Sequence, residues 1–262
     1  MDFIISGRTD IGNIKNVNQD SFDVMTIKTK LGRMVFAVVC DGMGGYTGGE
    51  IASASVVNAY RNWVLSRLHD MCNEGIIVES QIKREWNDIA IKCSEKLRSY
   101  GSENNMKPGT TLAAILITQT KYYVINIGDS RVYEIANELK RLTEDQTLVA
   151  AEVREGKITE EEAELDDRRN VLLWGIGVTE RLYPEFRIEN TKPNAVYMVC
   201  SDGFRHEINS EEIYQNLRPE IMLSEETMNR QIDHLIDIVK QRKEEDNITC
   251  VAIRTFEGVD NA

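Results

Sequence analysis

Five aspartates in this chain stand where apolar runs end or the backbone turns, and carboxylates placed that way can hold hard cations. Met34 to Cys40 runs into Asp41-Gly42, Tyr122 to Ile127 into Gly128-Asp129, and Ala195 to Cys200 into Ser201-Asp202-Gly203. Asp20, in Asn18-Gln19-Asp20, and Asp246, before Asn247, complete the set. Taken singly, these last two read as ordinary turn formers. Packed together, five carboxylates would repel one another until some stayed protonated. Mg²⁺ or Mn²⁺ would relieve that repulsion, since both prefer oxygen ligands. The glycine-rich stretch Asp41 to Glu50 has the same two sides. A dinucleotide loop needs GxGxxG, which Thr47 breaks, and Asp41 would oppose a pyrophosphate. A carboxylate followed by a flexible carbonyl, Asp41-Gly42, suits a cation better. A glycine turn without a ligand is the plainer alternative.

The runs before the aspartates have about six residues each, rich in Val, Ile and Tyr, which suits strands buried in a sheet. Thr111 to Thr118 and Ile248 to Arg254 have the same character. Such strands would bring the aspartates to one edge of a sheet or sandwich. Between them, Ile51, Val56, Ala59, Trp63 and Leu68 recur at helical spacing and predict a helix over 49–71. Ile82, Trp86, Ile89, Cys93 and Leu97 mark a second helix, and Met228, Ile232, Leu235 and Val239 a third, over 224–243. Their Trp and Met residues read as core. Residues 144–170 are polar and acidic, and Thr159-Glu160-Glu161-Glu162 predicts a capping box opening a short helix. This stretch is expected to form a mobile surface flap within a single domain spanning 1–262.

Other chemistries are poorly served. Three dispersed histidines do not suit a histidine-rich zinc site, and HExxH, GxSxG and GxxxxGK[ST] are absent. Five scattered cysteines without a CxxC pair fit free thiols, with Cys40 and Cys200 as small core residues rather than nucleophiles. A net charge of -12 argues against nucleic acid and against an anionic membrane surface. No apolar run approaches the roughly 20 residues that cross a bilayer, and the N-terminus lacks the features of a signal peptide. A cytoplasmic monomer is the expectation.

In order along the chain stand Thr9-Asp10-Ile11-Gly12, Asn18-Gln19-Asp20, Asp41-Gly42-Met43-Gly44-Gly45 and Gly49-Glu50. Gly109-Thr110-Thr111, Asn126-Ile127-Gly128-Asp129-Ser130-Arg131 and Leu142-Thr143 with Asp145 come next. Gly156-Lys157-Ile158-Thr159, Arg169-Asn170-Val171-Leu172, Ser201-Asp202-Gly203 and Asp246-Asn247-Ile248-Thr249 follow. Over nearly its whole length the chain thereby resembles the protein phosphatase 2C family, the metal-dependent serine/threonine phosphatases, in its bacterial branch. The resemblance implies an α/β (α+β) fold, a four-layer α-β-β-α sandwich of two antiparallel sheets flanked by helices, with a small flap. It implies hydrolysis of phosphoserine and phosphothreonine on proteins by water activated between two Mn²⁺ or Mg²⁺ ions. Asp41 would bridge them with help from the Gly42 carbonyl, Asp20 would hold one, and Asp202 and Asp246 the other. Asp129 and Asp202, with His206, would make a weaker third metal site. Phosphorylated proteins, a serine/threonine kinase among them, are the partners implied.

Several positions depart from the family pattern. Lys15 stands where an arginine usually forks around the substrate phosphate, keeping the charge without the bidentate geometry. Gln19 replaces a glutamate, His206 an aspartate and Gln146 a histidine, while Asp166-Asp167 replace His-Pro in the flap. Two alternatives accompany the enzyme reading. One is a pseudophosphatase that binds phosphoproteins or a kinase without turnover, and the other a hydrolase of small phosphate esters.

Overall fold

Residues 1–43 and 48–258 are described by a computed structural model of the chain. The chain begins with β1 (Asp2–Asp10), β2 (Asp20–Thr29) and β3 (Gly32–Met43), then α1 (Gly49–Trp63), a π-helical turn (Val64–Leu68), α2 (His69–Glu74) and α3 (Glu79–Asn104). It continues through β4 (Gly109–Thr110), β5 (Leu112–Ile117), β6 (Lys121–Ile127), β7 (Arg131–Ile135) and β8 (Leu139–Arg141). After α4 (Leu148–Arg154), α5 (Glu160–Glu164), β9 (Glu185–Asn190) and β10 (Ala195–Cys200) come α6 (Asp202–Arg205), α7 (Ser210–Leu217), α8 (Glu225–Gln241) and β11 (Ile248–Phe256).

The strands form two antiparallel sheets, ordered β1-β11-β10-β7-β8 and β2-β3-β5-β6-β9, with β4 paired to β3. Alternation along β3 explains why its apolar run is continuous. Val35, Ala37 and Val39 face the second sheet, in a core shared with Val199, Val251 and Ile253. Met34, Phe36, Val38 and Cys40 face the other way, toward α1–α3. In the opposite sheet, β10 does the same with Val196, Met198 and Cys200, which pack with residues of α7 and α8. Strands covered on both faces need apolar residues at every position. The result is the expected sandwich of two antiparallel sheets flanked by helices.

The helical stretch foreseen from Gly49 is interrupted by the π turn, yet Val64, Leu68, Met71 and Cys72 continue its buried line. All five cysteines are free and buried. Trp86 of α3 is fully buried and meets Phe36, Tyr60, Trp63 and Phe186 edge to face at 5.5–6.0 Å between ring centroids. Trp86→Ala removes the centre of that aromatic cluster, and a loss of about 3–5 kcal/mol is expected in urea unfolding. The anticipated capping box is present, with Thr159 and Glu162 bonded reciprocally at the start of α5. Among the described residues, no helix is long and apolar enough to cross a membrane.

Candidate active site

At one end of the sandwich, both sheets deliver carboxylates to a common cleft. Asp20 opens β2 and lies directly opposite Asp41 of β3 in the antiparallel ladder. Direct partners share a face with Cβ atoms about 5 Å apart, so sheet register alone places these two side chains together. The turn reading of Asp20 is thereby replaced by a strand position. Asp202 follows β10 as the first residue of α6, Asp129 sits in the β6–β7 turn, and Asp246 precedes β11. Asp20, Asp129 and Asp202 are buried, while Asp41 and Asp246 are half-buried.

Close backbone approach holds these pieces in place. A Cβ on Gly42 would lie 2.2 Å from the Gly49 carbonyl and 2.4 Å from that of Gln19, and one on Gly203 would lie 2.2 Å from the Asn247 carbonyl. The remainder of the glycine-rich stretch, Gly44, Gly45, Tyr46 and Thr47, lies outside the described residues. Asn247 acts as a clamp. Its Oδ1 accepts from the Gln19 amide at 2.8 Å, and its Nδ2 donates to the carbonyls of Ile11 (2.9 Å) and Val17 (3.2 Å). Asn247, itself buried, loses all three of these hydrogen bonds in Asn247→Ala, and a loss of about 2 kcal/mol is expected on chemical denaturation. Ser201 Oγ donates to Asp20 Oδ2 at 2.8 Å and accepts from the Thr249 amide at 3.0 Å. The sequence drew attention to Asp202 and Asp246 but not to the roles of their neighbours Ser201 and Asn247. The adjacency of polar residues to each aspartate was the available signal.

The electrostatics show a site short of positive charge. Burial, reinforced by Asp202 and Asp246, pushes the Asp20 carboxyl up to about 7 despite hydrogen bonds from Thr249 and Ser201. Burial and the charges of Asp20, Asp202, Asp246 and Asp129 drive Asp41 well above the usual carboxylate range. Asp129 reaches about 7 through burial and Asp202, partly offset by Arg205 and His206. At Asp202 burial is the largest influence and acts upward. His206, Arg205 and a hydrogen bond with Asp41 outweigh it and bring the group below its ordinary value. Asp20 Oδ1 and Asp202 Oδ1 are buried without a hydrogen-bond partner. Orphaned anionic oxygens beside mutually repelling carboxyls form a donor set that fits divalent cations. Among the described residues, no three His, Cys, Asp or Glu side chains form a closed ligand cluster.

The remaining foreseen residues fall around this floor. Lys15 Nζ lies 3.0 Å from Asp246 Oδ1. His206 sits between two carboxylates, Nε2 at 3.7 Å from Asp202 Oδ2 and Nδ1 at 3.6 Å from Glu244 Oε2. Gln146 has a structural task. Its Oε1 accepts from the Gly128 amide and its Nε2 donates to the Tyr183 carbonyl, both at 3.0 Å, which fixes the turn carrying Asp129. Arg131 grips Asp145 through two hydrogen bonds of 2.8 and 2.5 Å, and Arg205 donates to the Asp129 carbonyl at 3.2 Å. The cleft encloses about 640 Å³, lined by Lys15, Asp41, Thr111, Asp129, Asp202 and Asp246, together with several apolar side chains.

This fold and site have known counterparts. The Protein phosphatase 2C family profile matches residues 12–244. The serine/threonine phosphatase stp of Listeria monocytogenes serotype 4b is 30% identical over 252 residues, covering 94% of this chain and 93% of that one. The solved serine/threonine phosphatase of S. agalactiae superposes with a TM-score of 0.82 at 27% identity, covering 97% of this chain and 99% of the other. The catalytic domain of the serine/threonine protein phosphatase PstP, solved in complex with two manganese ions, gives a TM-score of 0.76 at 25% identity, with 97% and 99% coverage. The chain belongs to the protein phosphatase 2C family, bacterial type, and is an enzyme of the serine/threonine protein phosphatase class.

Proposed function

We propose that the chain hydrolyses phosphoserine and phosphothreonine on proteins with the help of divalent metal ions held by its aspartates. The observation that carries this reading is the Asp20–Asp41 register pair beside Asp202, with a buried, orphaned oxygen on Asp20 and another on Asp202. Asp41 and the Gly42 carbonyl would be shared between two Mn²⁺ or Mg²⁺ ions, Asp20 would serve one, and Asp202 and Asp246 the other. Asp129, Asp202 and His206 are the groups for a weaker third ion. When bound, the ions supply positive charge to the phosphate oxygens and make a nearby water more acidic.

The chain's own residues then position the substrate. Lys15 is the cation among the described residues lining the cleft, and its ammonium offers point-charge attraction to a phosphate. Lys15→Ala is expected to raise KM for a phosphopeptide about tenfold with a smaller change in kcat, a split that steady-state kinetics resolves. Thr111 and Ser130, joined through their hydroxyls at 2.7 Å, buttress the floor, and Thr111 Oγ1 also accepts from the Asp41 amide at 2.9 Å. Catalysis in such a site is neutralisation and placement rather than covalent chemistry.

The reading includes a monomeric cytoplasmic enzyme acting on phosphorylated proteins, a serine/threonine kinase among them, with residues 144–170 as a flap beside the cleft. It is supported by relatives named serine/threonine phosphatases and by the PstP structure containing two manganese ions. The test is hydrolysis of a phosphothreonine peptide across Mn²⁺ and Mg²⁺ titrations, with Asp202→Ala as control. Metal-dependent turnover that vanishes in the variant is the expected result. A folded protein inert with either metal would point instead to phosphoprotein binding without turnover.

A further inference from the structure

Around the aspartate cleft, apolar side chains stand among polar ones such as Asn16 and Asn170. Ile14 and Val17 stand on one side, 63% and 46% exposed, in the loop between β1 and β2. Val178 stands in the turn before β9, 53% exposed, and Leu172 lies in the same connection. All four line the cleft that contains Asp41, Asp129, Asp202 and Asp246. Isolated apolar side chains on a surface need no explanation, but several from separate stretches gathered around one polar cleft mark a contact surface.

Both sides of the rim are pinned to the folded core. The Asn247 side-chain amide holds the Val17 carbonyl. On the other side, Ile176 exchanges backbone hydrogen bonds with Thr110 at 3.0 and 2.9 Å, and the Val178 amide donates to the Gly175 carbonyl at 3.2 Å. Gly177 takes φ +86°, and a Cβ there would lie 2.4 Å from the Pro108 carbonyl, so the turn presenting Val178 is fixed. Apolar groups held rigidly at the rim bind without first having to be ordered.

We infer that, given the phosphatase reading above, the site takes phosphorylated segments with apolar side chains flanking the phosphoresidue, gripped by Ile14 and Val17 on one side and Leu172 and Val178 on the other. The charges around the cleft agree. Apart from the phosphate itself, an acidic flank would meet no cation but Lys15 among the described residues lining the cleft. The lining cation, Lys15, is already engaged by Asp246. Flanking aliphatic side chains instead cover exposed apolar surface, and each well-placed aliphatic group typically contributes a factor of about ten or more to discrimination.

Phosphothreonine peptides of one length, flanked by Val and Ile, by Ser and Gly, by Asp and Glu, or by Lys and Arg, test this with native protein and Mn²⁺. The expected kcat/KM is about tenfold or more higher for the apolar flanks than for the Ser/Gly flanks, carried mainly by KM. In Ile14→Ser and Val178→Ser, both exposed positions, the same ratio should collapse toward one while the melting temperature stays close to native. Equal rates for all flanks, a preference for charged flanks, or an undiminished ratio in both variants would overturn the inference. Failure of native protein to hydrolyse both p-nitrophenyl phosphate and every peptide would instead overturn the phosphatase reading on which it rests.

Discussion

Asp41→Asn should reduce phosphopeptide turnover by roughly 10³-fold or more, the scale on which loss of a key charge-stabilising group is felt, yet leave the metal-free protein more stable than native. The two effects share one cause. Asp41 lies opposite Asp20, and its carboxyl is driven well above the ordinary range by burial and by four other aspartates. An amide of the same shape sits among the other carboxyls without having to take up a proton, so the empty fold is stabilised. It also removes the group proposed to be shared between the ions, so turnover and metal-induced stabilisation are lost together. Thermal melting with chelator and with Mn²⁺, beside steady-state kinetics, checks both. A variant destabilised without metal would indicate that Asp41 is a structural residue. Stabilising substitutions at a strained functional centre are a recognised consequence of building chemistry there.

The second large effect is a pH dependence opposite to that of most carboxylates. Asp20 and Asp129 sit at about 7, above their ordinary value of 3.8, and Asp41 is displaced in the same direction. Folded, metal-free protein therefore holds protons between about pH 4 and 7 that the unfolded chain has released. These groups lower stability as pH rises through that window, most cleanly above about pH 5, where the depressed carboxyls of Asp145 and Glu212 no longer titrate in either state. The total is on the order of several kcal/mol, since each unit of displacement is worth about 1.4 kcal/mol. Asp202, displaced downward, acts in the opposite sense. Its contribution is present above the ordinary carboxylate value and is lost on acidification. Mn²⁺ should flatten the dependence, so that its stabilising effect grows from pH 4 to 7. Unfolding curves at half-unit pH intervals, with and without metal, measure this. Stability that rises with pH above about 5 in chelator would contradict the account.

The sequence made parts of this legible for identifiable reasons. Strands β3, β5, β6, β10 and β11 are buried on both faces, so they appear as unbroken apolar runs. β1 and β9 sit at or beside sheet edges with most residues only half covered, and β8 has just three residues, so none of them announces itself in composition. The long helices α1, α3 and α8 were visible because each buries one regularly spaced apolar face, whereas α4, α6 and α7 are too short to show a period. Asp41, Asp129 and Asp202 were found because each comes after a buried apolar run, Asp41 while still inside β3. Asp20 was weak in isolation because its significance is a register, the Asp20–Asp41 pairing, and no local pattern encodes a cross-strand partner. Family resemblance supplied what local chemistry did not.

Gln146, Asn247 and the apolar side chains of the rim illustrate the remainder. Gln146 looked like a departure from a pattern, and its meaning emerged only with Gly128 and Tyr183 on either side of its amide. Asn247 joins segments more than 200 residues apart in sequence. Val178 and Ile14 belong to different loops, and only the fold places them around one cleft. These are long-range contacts of single side chains, which neither periodicity nor composition records.

The most direct test of the central claim is to count divalent ions bound to chelator-treated native protein by Mn²⁺ calorimetry, with Asp41→Asn beside it. Two tightly bound ions in the native protein, with that binding largely lost in the variant, is the predicted result. No saturable Mn²⁺ binding to folded native protein, or equal binding by native and variant, would contradict it.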